Sequence, residues 1–101
     1  MRLLVMFDLP TETSADRKAY RHFRKALLNE GFMMLQYSVY VRVCVSRQSA
    51  KFIERRITNF LPDKGLIQSL MVTEQQYNKM HFLIGKPKTD VRNSSERTLI
   101  L

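Results

Sequence analysis

Asp8 is the one acidic residue set into an otherwise apolar run, Leu3 to Leu9 (LLVMFDL). A carboxylate in such surroundings needs a partner or a cation, because a buried, unpaired charge is costly. Two roles fit: Asp8 caps a turn or pairs with a cation such as Arg42, or it is a metal ligand and the candidate catalytic residue. The metal role needs more than one carboxylate, and nothing nearer than Glu12 stands beside Asp8 in the chain. A two-fold axis near the end of this run would bring two copies of Asp8 together. Paired carboxylates, with backbone carbonyls and water, can hold Mg²⁺, a hard ion that accepts few protein ligands. Such an ion lowers the pKa of bound water for attack on a phosphodiester and offsets transition-state charge.

The remaining candidates for chemistry are weaker. His22 lies off the apolar arc of a helix and reads as solvated; His81 reads as a sheet-edge residue. Cys44 alternates between Val43 and Val45 and reads as a small buried hydrophobe, not a nucleophile. One cysteine and two histidines build neither a disulfide nor a zinc site, which points to a reducing compartment. Tyr37 and Tyr40 are candidates to stack on bases, although aromatics in strands more often serve packing.

Charge says more. Lys and Arg number 17 against 9 Asp and Glu, a net charge of +8. Arg dominates the surplus, and its planar fork suits phosphate. A polyanionic partner is expected, with a basic surface serving only solubility as the alternative. Apolar runs such as Leu3 to Phe7 fall far below the roughly 18 residues of a membrane span, and Met1-Arg2 leads straight into a strand without a secretory pattern. The expectation is a cytoplasmic protein with no membrane partner.

The elements that position these groups can be read in turn. Leu3 to Leu9 is a buried strand closed by Pro10. Thr13 is an N-cap, with Asp16 three residues on, and Gly31 is a stop, so a helix is predicted over Ser14 to Glu30. On it Ala19, Tyr20, Phe23, Ala26 and Leu27 share one arc of about 120°, while Arg17, Lys18, Arg21, Arg24 and Lys25 share a roughly opposite one, interrupted chiefly by Leu28. The Val-rich run after Gly31, with Val39, Val41, Val43 and Val45 alternating, is too long for one strand and is split near Gln36 to Ser38. Ser46 caps a second helix, about Arg47 to Leu61, with Phe52, Ile53, Ile57, Phe60 and Leu61 inward. Pro62-Asp63-Lys64-Gly65 is a turn, Leu66 to Thr73 a fourth strand, and Met80 to Ile84 a shorter one. Residues 1–85 form the domain. Residues 86–101 form a polar tail in which Leu99, Ile100 and Leu101 have the character to dock on a partner.

The order is α+β, a ferredoxin-like βαββαβ pattern with an additional short C-terminal strand. In this fold both helices cover one face of the sheet. The first strand nevertheless places Leu3, Val5 and Phe7 on one face and Leu4 and Met6 on the other, and the fourth sets Leu66 and Leu70 against Ile67 and Met71. A homodimer packed sheet to sheet is the economical way to hide the second face; a different protein, or the tail, is the alternative cover.

These features resemble those of the CRISPR-associated protein 2 family, the small partner of the spacer-acquiring integrase in bacterial antiviral defence. The likeness rests on the strand ending FDLP at Phe7 to Pro10, the basic helix from Ser14, the Gly31 stop, and Gln36-Tyr37-Ser38-Val39-Tyr40, in the family's order across residues 1 to about 85. Tyr40 stands where a Phe is common, and the tail beyond Gly85 does not align. The resemblance implies a ferredoxin-like homodimer in which Asp8 faces its twin and can bind Mg²⁺. It implies metal-dependent endonuclease activity on RNA or DNA, and a scaffold role in which the CRISPR integrase clamps the dimer on DNA. Arg17, Lys18, Arg21, Arg24, Lys25 and Arg42 are then the expected phosphate contacts. The alternative is an unrelated basic nucleic-acid-binding or toxin-like nuclease domain of the same fold.

Overall fold

The computed structural model describes residues 1–86, and the expectations for the tail beyond them lie outside the described residues. Strand β1 runs Arg2–Asp8, helix α1 Ser14–Asn29, β2 Met33–Gln36, β3 Val39–Val43, α2 Arg47–Ile57, β4 Leu66–Val72 and α3 Glu74–Asn78. The strands form one antiparallel sheet in the order β2-β3-β1-β4, the ferredoxin-like arrangement.

Local chemistry sets the boundaries. Thr13 caps α1 with a reciprocal box: its hydroxyl accepts from the Asp16 N–H, and the Asp16 carboxylate accepts from the Thr13 N–H. At the other end Gly31 adopts φ +90°, its N–H donates to the Leu28 carbonyl and the Phe32 N–H to the Leu27 carbonyl. This is a Schellman stop that satisfies carbonyls the helix leaves open. Tyr37 and Ser38 form the two-residue turn between β2 and β3, with Ser38 at φ 65° and a register shift between Met34 and Gln36. The split falls where the sequence places it.

Leu3, Val5 and Phe7 of β1 pack with Phe23, Leu27, Ile53 and Ile57 of the two helices to form the main core. Phe7 is its hub, edge-on to Tyr20 and Phe23 and stacked on Tyr40. Cys44 is buried in the same cluster as expected. The second helix departs from its predicted length. Past Ile57 the chain tightens into a 3₁₀ turn, Thr58–Phe60, where the Thr58 hydroxyl donates to the Arg55 carbonyl, and Leu61 leaves in extended backbone. Ala50, Ile53 and Ile57 therefore form the inward line, while Phe52 and Leu61, expected inside, are exposed. Ala19 of α1 is likewise exposed.

The opposite face of the sheet carries a second, smaller cluster of Leu4, Val41 and Tyr77, flanked by Val39, Val72 and Met80. Its cover is α3, an element with no counterpart in the sequence reading. Thr73 caps it with a box to Gln76, Glu74 binds the Arg2 guanidinium through two hydrogen bonds, and that guanidinium lies 4.1 Å from the Tyr77 ring centroid. Met80 is drawn onto this cluster, and the strand expected over Met80 to Ile84 is not formed: residues 81–84 run on outside the sheet, with Leu83 and Ile84 exposed. Cover by α3 is partial. Beyond it, Leu66 is 57% and Leu70 53% exposed on the same face as Met6 and Asp8.

Candidate nucleic-acid interface

Asp8 ends β1 beside Leu66 of β4, on the face away from α1 and α2, and is exposed. The sequence suggests a carboxylate buried in a strand; the chain instead delivers it to the strand's solvent-facing end. Arg42 is not its partner. Arg42 pairs in register with Leu3, on the helix-covered face, and lies partly buried against Gly31 and near Glu30.

Two contacts that sequence reading missed fix the Asp8 backbone. The Phe7 N–H donates to the Ser38 carbonyl at 3.0 Å, tying β1 to the β2–β3 turn. On the other side Gly65 adopts φ +100°, and a Cβ there would stand 2.8 Å from the Asp8 carbonyl oxygen and 2.5 Å from Leu9 Cδ2. Only glycine fits that approach. The Pro62–Gly65 turn signal marked Gly65 as a turn residue but not as a neighbour of Asp8. Above the strand end, Tyr20 and Tyr37 stack at 6.4 Å, and the hydrogen bond between their side chains holds the Tyr37 phenol above its ordinary range. Tyr40, the other stacking candidate, is core.

As a metal site one chain is incomplete. Among the described residues no group of three His, Cys, Asp or Glu converges, so Asp8 offers a hard oxygen ligand without a second carboxylate beside it. Two copies meeting at this strand end would supply two, which suits Mg²⁺ with water completing its shell.

The cations sort by whether they already have partners. Among the described residues the ion pairs join the Met1 amino group and Arg2 to Glu74, Arg56 to Glu30, and Lys64 to Asp16. These contacts hold the carboxylates below their ordinary range: Glu74 through the Arg2 hydrogen bond, Glu30 through that of Arg56, and Asp16 chiefly through the Thr13 backbone N–H. None of them involves Arg17, Lys18, Arg21, Arg24 or Lys25, all exposed on α1. Arg17 is tethered, donating to the Thr11 and Glu12 carbonyls, and so braces the β1–α1 loop while keeping its charge. Lys18, Arg21 and Lys25 line a groove between α1 and residues 59–62, joined there by His22. Arg17 and Arg24 do not line it, and Arg42 lies apart on β3. A row of unpaired cations beside neutral side chains is what a phosphate backbone needs.

The model of the family described as CRISPR associated protein Cas2 matches residues 1–80. The chain belongs to the Cas2 family. Similar proteins named CRISPR-associated endoribonuclease Cas2 occur in Ligilactobacillus salivarius, 66% identical over the full length of both chains, and in Lacticaseibacillus rhamnosus, 56% identical over the same span. The crystal structure of Streptococcus pyogenes Cas2 at pH 6.5 superposes with a TM-score of 0.62 at 27% identity, covering 82% of this chain and 99% of that one. The alternative of an unrelated basic domain is thereby excluded, and the ferredoxin-like Cas2 fold agrees with the architecture described above. No helix among the described residues is long and apolar enough to cross a membrane.

Proposed function

We propose that this Cas2 chain works in CRISPR adaptation as a two-fold homodimer that holds nucleic-acid backbone on the cations of α1, as the DNA scaffold of the CRISPR integrase. The observation that carries this reading is the row of five exposed cations on α1, none of which forms an ion pair among the described residues. Phosphate contacts of this kind position a strand without reading its sequence. The half-exposed Leu66 and Leu70 supply a self-complementary apolar patch for the dimer, since packing a second copy there removes both from water.

The test is duplex binding across a range of salt. Replacing Arg21 and Lys25 with Ala should weaken binding equally for unrelated sequences and lower the magnitude of the salt slope by about 2, close to one per lost phosphate contact. Unchanged affinity and slope would remove α1 from the interface.

A second reading, phosphodiester cleavage, is favoured by the exposed, backbone-clamped Asp8 and by the endoribonuclease name that the relatives carry. Asp8 from each protomer would hold Mg²⁺, which supplies an activated water and charge neutralisation when bound. The chain's own part is positional: Ser38 and Gly65 hold the strand end, and α1 holds the backbone of an RNA or DNA strand. Comparing wild type with Asp8→Asn on labelled RNA and DNA tests it. Cleavage that depends on Mg²⁺ and vanishes in the variant supports the reading; equal activity in both proteins overturns it.

A further inference from the structure

The groove beside α1 contains a titratable group that the reading above does not use. Lys18, Arg21, His22 and Lys25 fall at i, i+3, i+4 and i+7 and face the neutral wall of Asn59, Leu61 and Pro62. Ala15 and Ala19 lie along the same line of the helix, and the partly buried Phe60 also lines the groove, so its floor is small and apolar beneath the cations. From Lys18 to Lys25 the helix rises about 10 Å, close to three phosphate-to-phosphate steps of about 3.4 Å along the axis of a duplex.

We propose that this groove is the track of one phosphodiester strand and that His22 is a protonation-dependent phosphate ligand within it. The inference rests on the nucleic-acid reading and assigns it a place and a regulator. Among the described residues the charged and titratable groups lining the groove besides His22 are Lys18, Arg21 and Lys25, all on α1; residues 59–62 contribute none, and no carboxylate of the described residues lines it. A fourth positive charge in that company is favoured most when an anion sits among the four. The imidazolium then donates from both ring nitrogens, where the neutral ring donates from one. Strand binding therefore takes up a proton at His22, and affinity rises as pH falls. The Asn59 amide and the exposed Leu61 side chain offer the opposite edge to sugar or base.

The test is fluorescence anisotropy of a labelled DNA duplex at constant ionic strength, at about pH 8 and about pH 6, across the ordinary histidine range. Wild type should tighten about fivefold more than His22→Gln over that interval, within the tenfold-per-unit limit for one proton. His22→Arg should bind tightly at both values, and the His22 ring resonances of wild type should move on adding the duplex. His22 is exposed, so these variants keep the fold, which circular dichroism checks. Equal pH response in wild type and His22→Gln, or ring resonances that do not move, overturns this inference while leaving backbone binding by α1 intact. Absence of binding at both pH values overturns the nucleic-acid reading and this one with it.

Discussion

Asp8 takes its position from two neighbours that contribute no chemistry of their own, the Ser38 carbonyl that accepts the Phe7 N–H and the Gly65 backbone packed against the Asp8 carbonyl. Gly65→Ala should therefore cost about 1–3 kcal/mol in urea unfolding, through positive φ and a close Cβ contact together, and lower any Asp8-dependent cleavage as well. Asp8→Asn should behave in the opposite way. The residue is exposed and forms no ion pair among the described residues, so its loss should change stability by less than about 0.5 kcal/mol while removing Mg²⁺-dependent cleavage. The exposed cationic face of α1 was legible in the sequence because helical periodicity is a local signal, whereas the burial suggested for Asp8 by its apolar run was not met, because exposure at a strand end is set by the whole sheet. The contact of Gly65 with Asp8 joins residues far apart in the chain, and no local pattern reports it.

The elements show the same division. The helix caps, the Gly31 stop and the split at Tyr37-Ser38 follow from short-range chemistry and match expectation. α3 escaped because Glu74–Asn78 is one turn with a single large apolar side chain, Tyr77, and so carries no periodicity; its capping box, Thr73 to Gln76, was the available signal. The strand expected over Met80 to Ile84 failed for a tertiary reason, since packing of Met80 on the second face takes the following residues away from the sheet. Tyr77→Ala should cost about 3–5 kcal/mol by the cavity it leaves under α3, read from denaturant midpoints. Glu74 makes the hold of α3 acid-sensitive. Its carboxyl sits below the ordinary range when folded, so the stability it contributes is present above the unfolded-state value and lost as pH falls through the lower folded-state value. Thermal melts should show Glu74→Gln less stable than wild type near pH ~6, with the difference gone near pH ~3.

For the whole molecule the decisive feature is a sheet whose two faces are unequally covered. Two helices enclose one face, while α3 reaches only the part of the other that holds Leu4 and Val41. Leu66 and Leu70 stay half exposed beside Met6 and Asp8. Burying such side chains completely gains about 1.5–3 kcal/mol each relative to full exposure, so two copies meeting here recover roughly half of that for each half-exposed leucine on both protomers. The same packing would bring the two Asp8 carboxylates together and leave both α1 helices facing outward. Sedimentation equilibrium of the full chain at micromolar concentration tests this most directly. A mass of twice the 12.0 kDa protomer is the expected result. A stable single protomer at that concentration would contradict it.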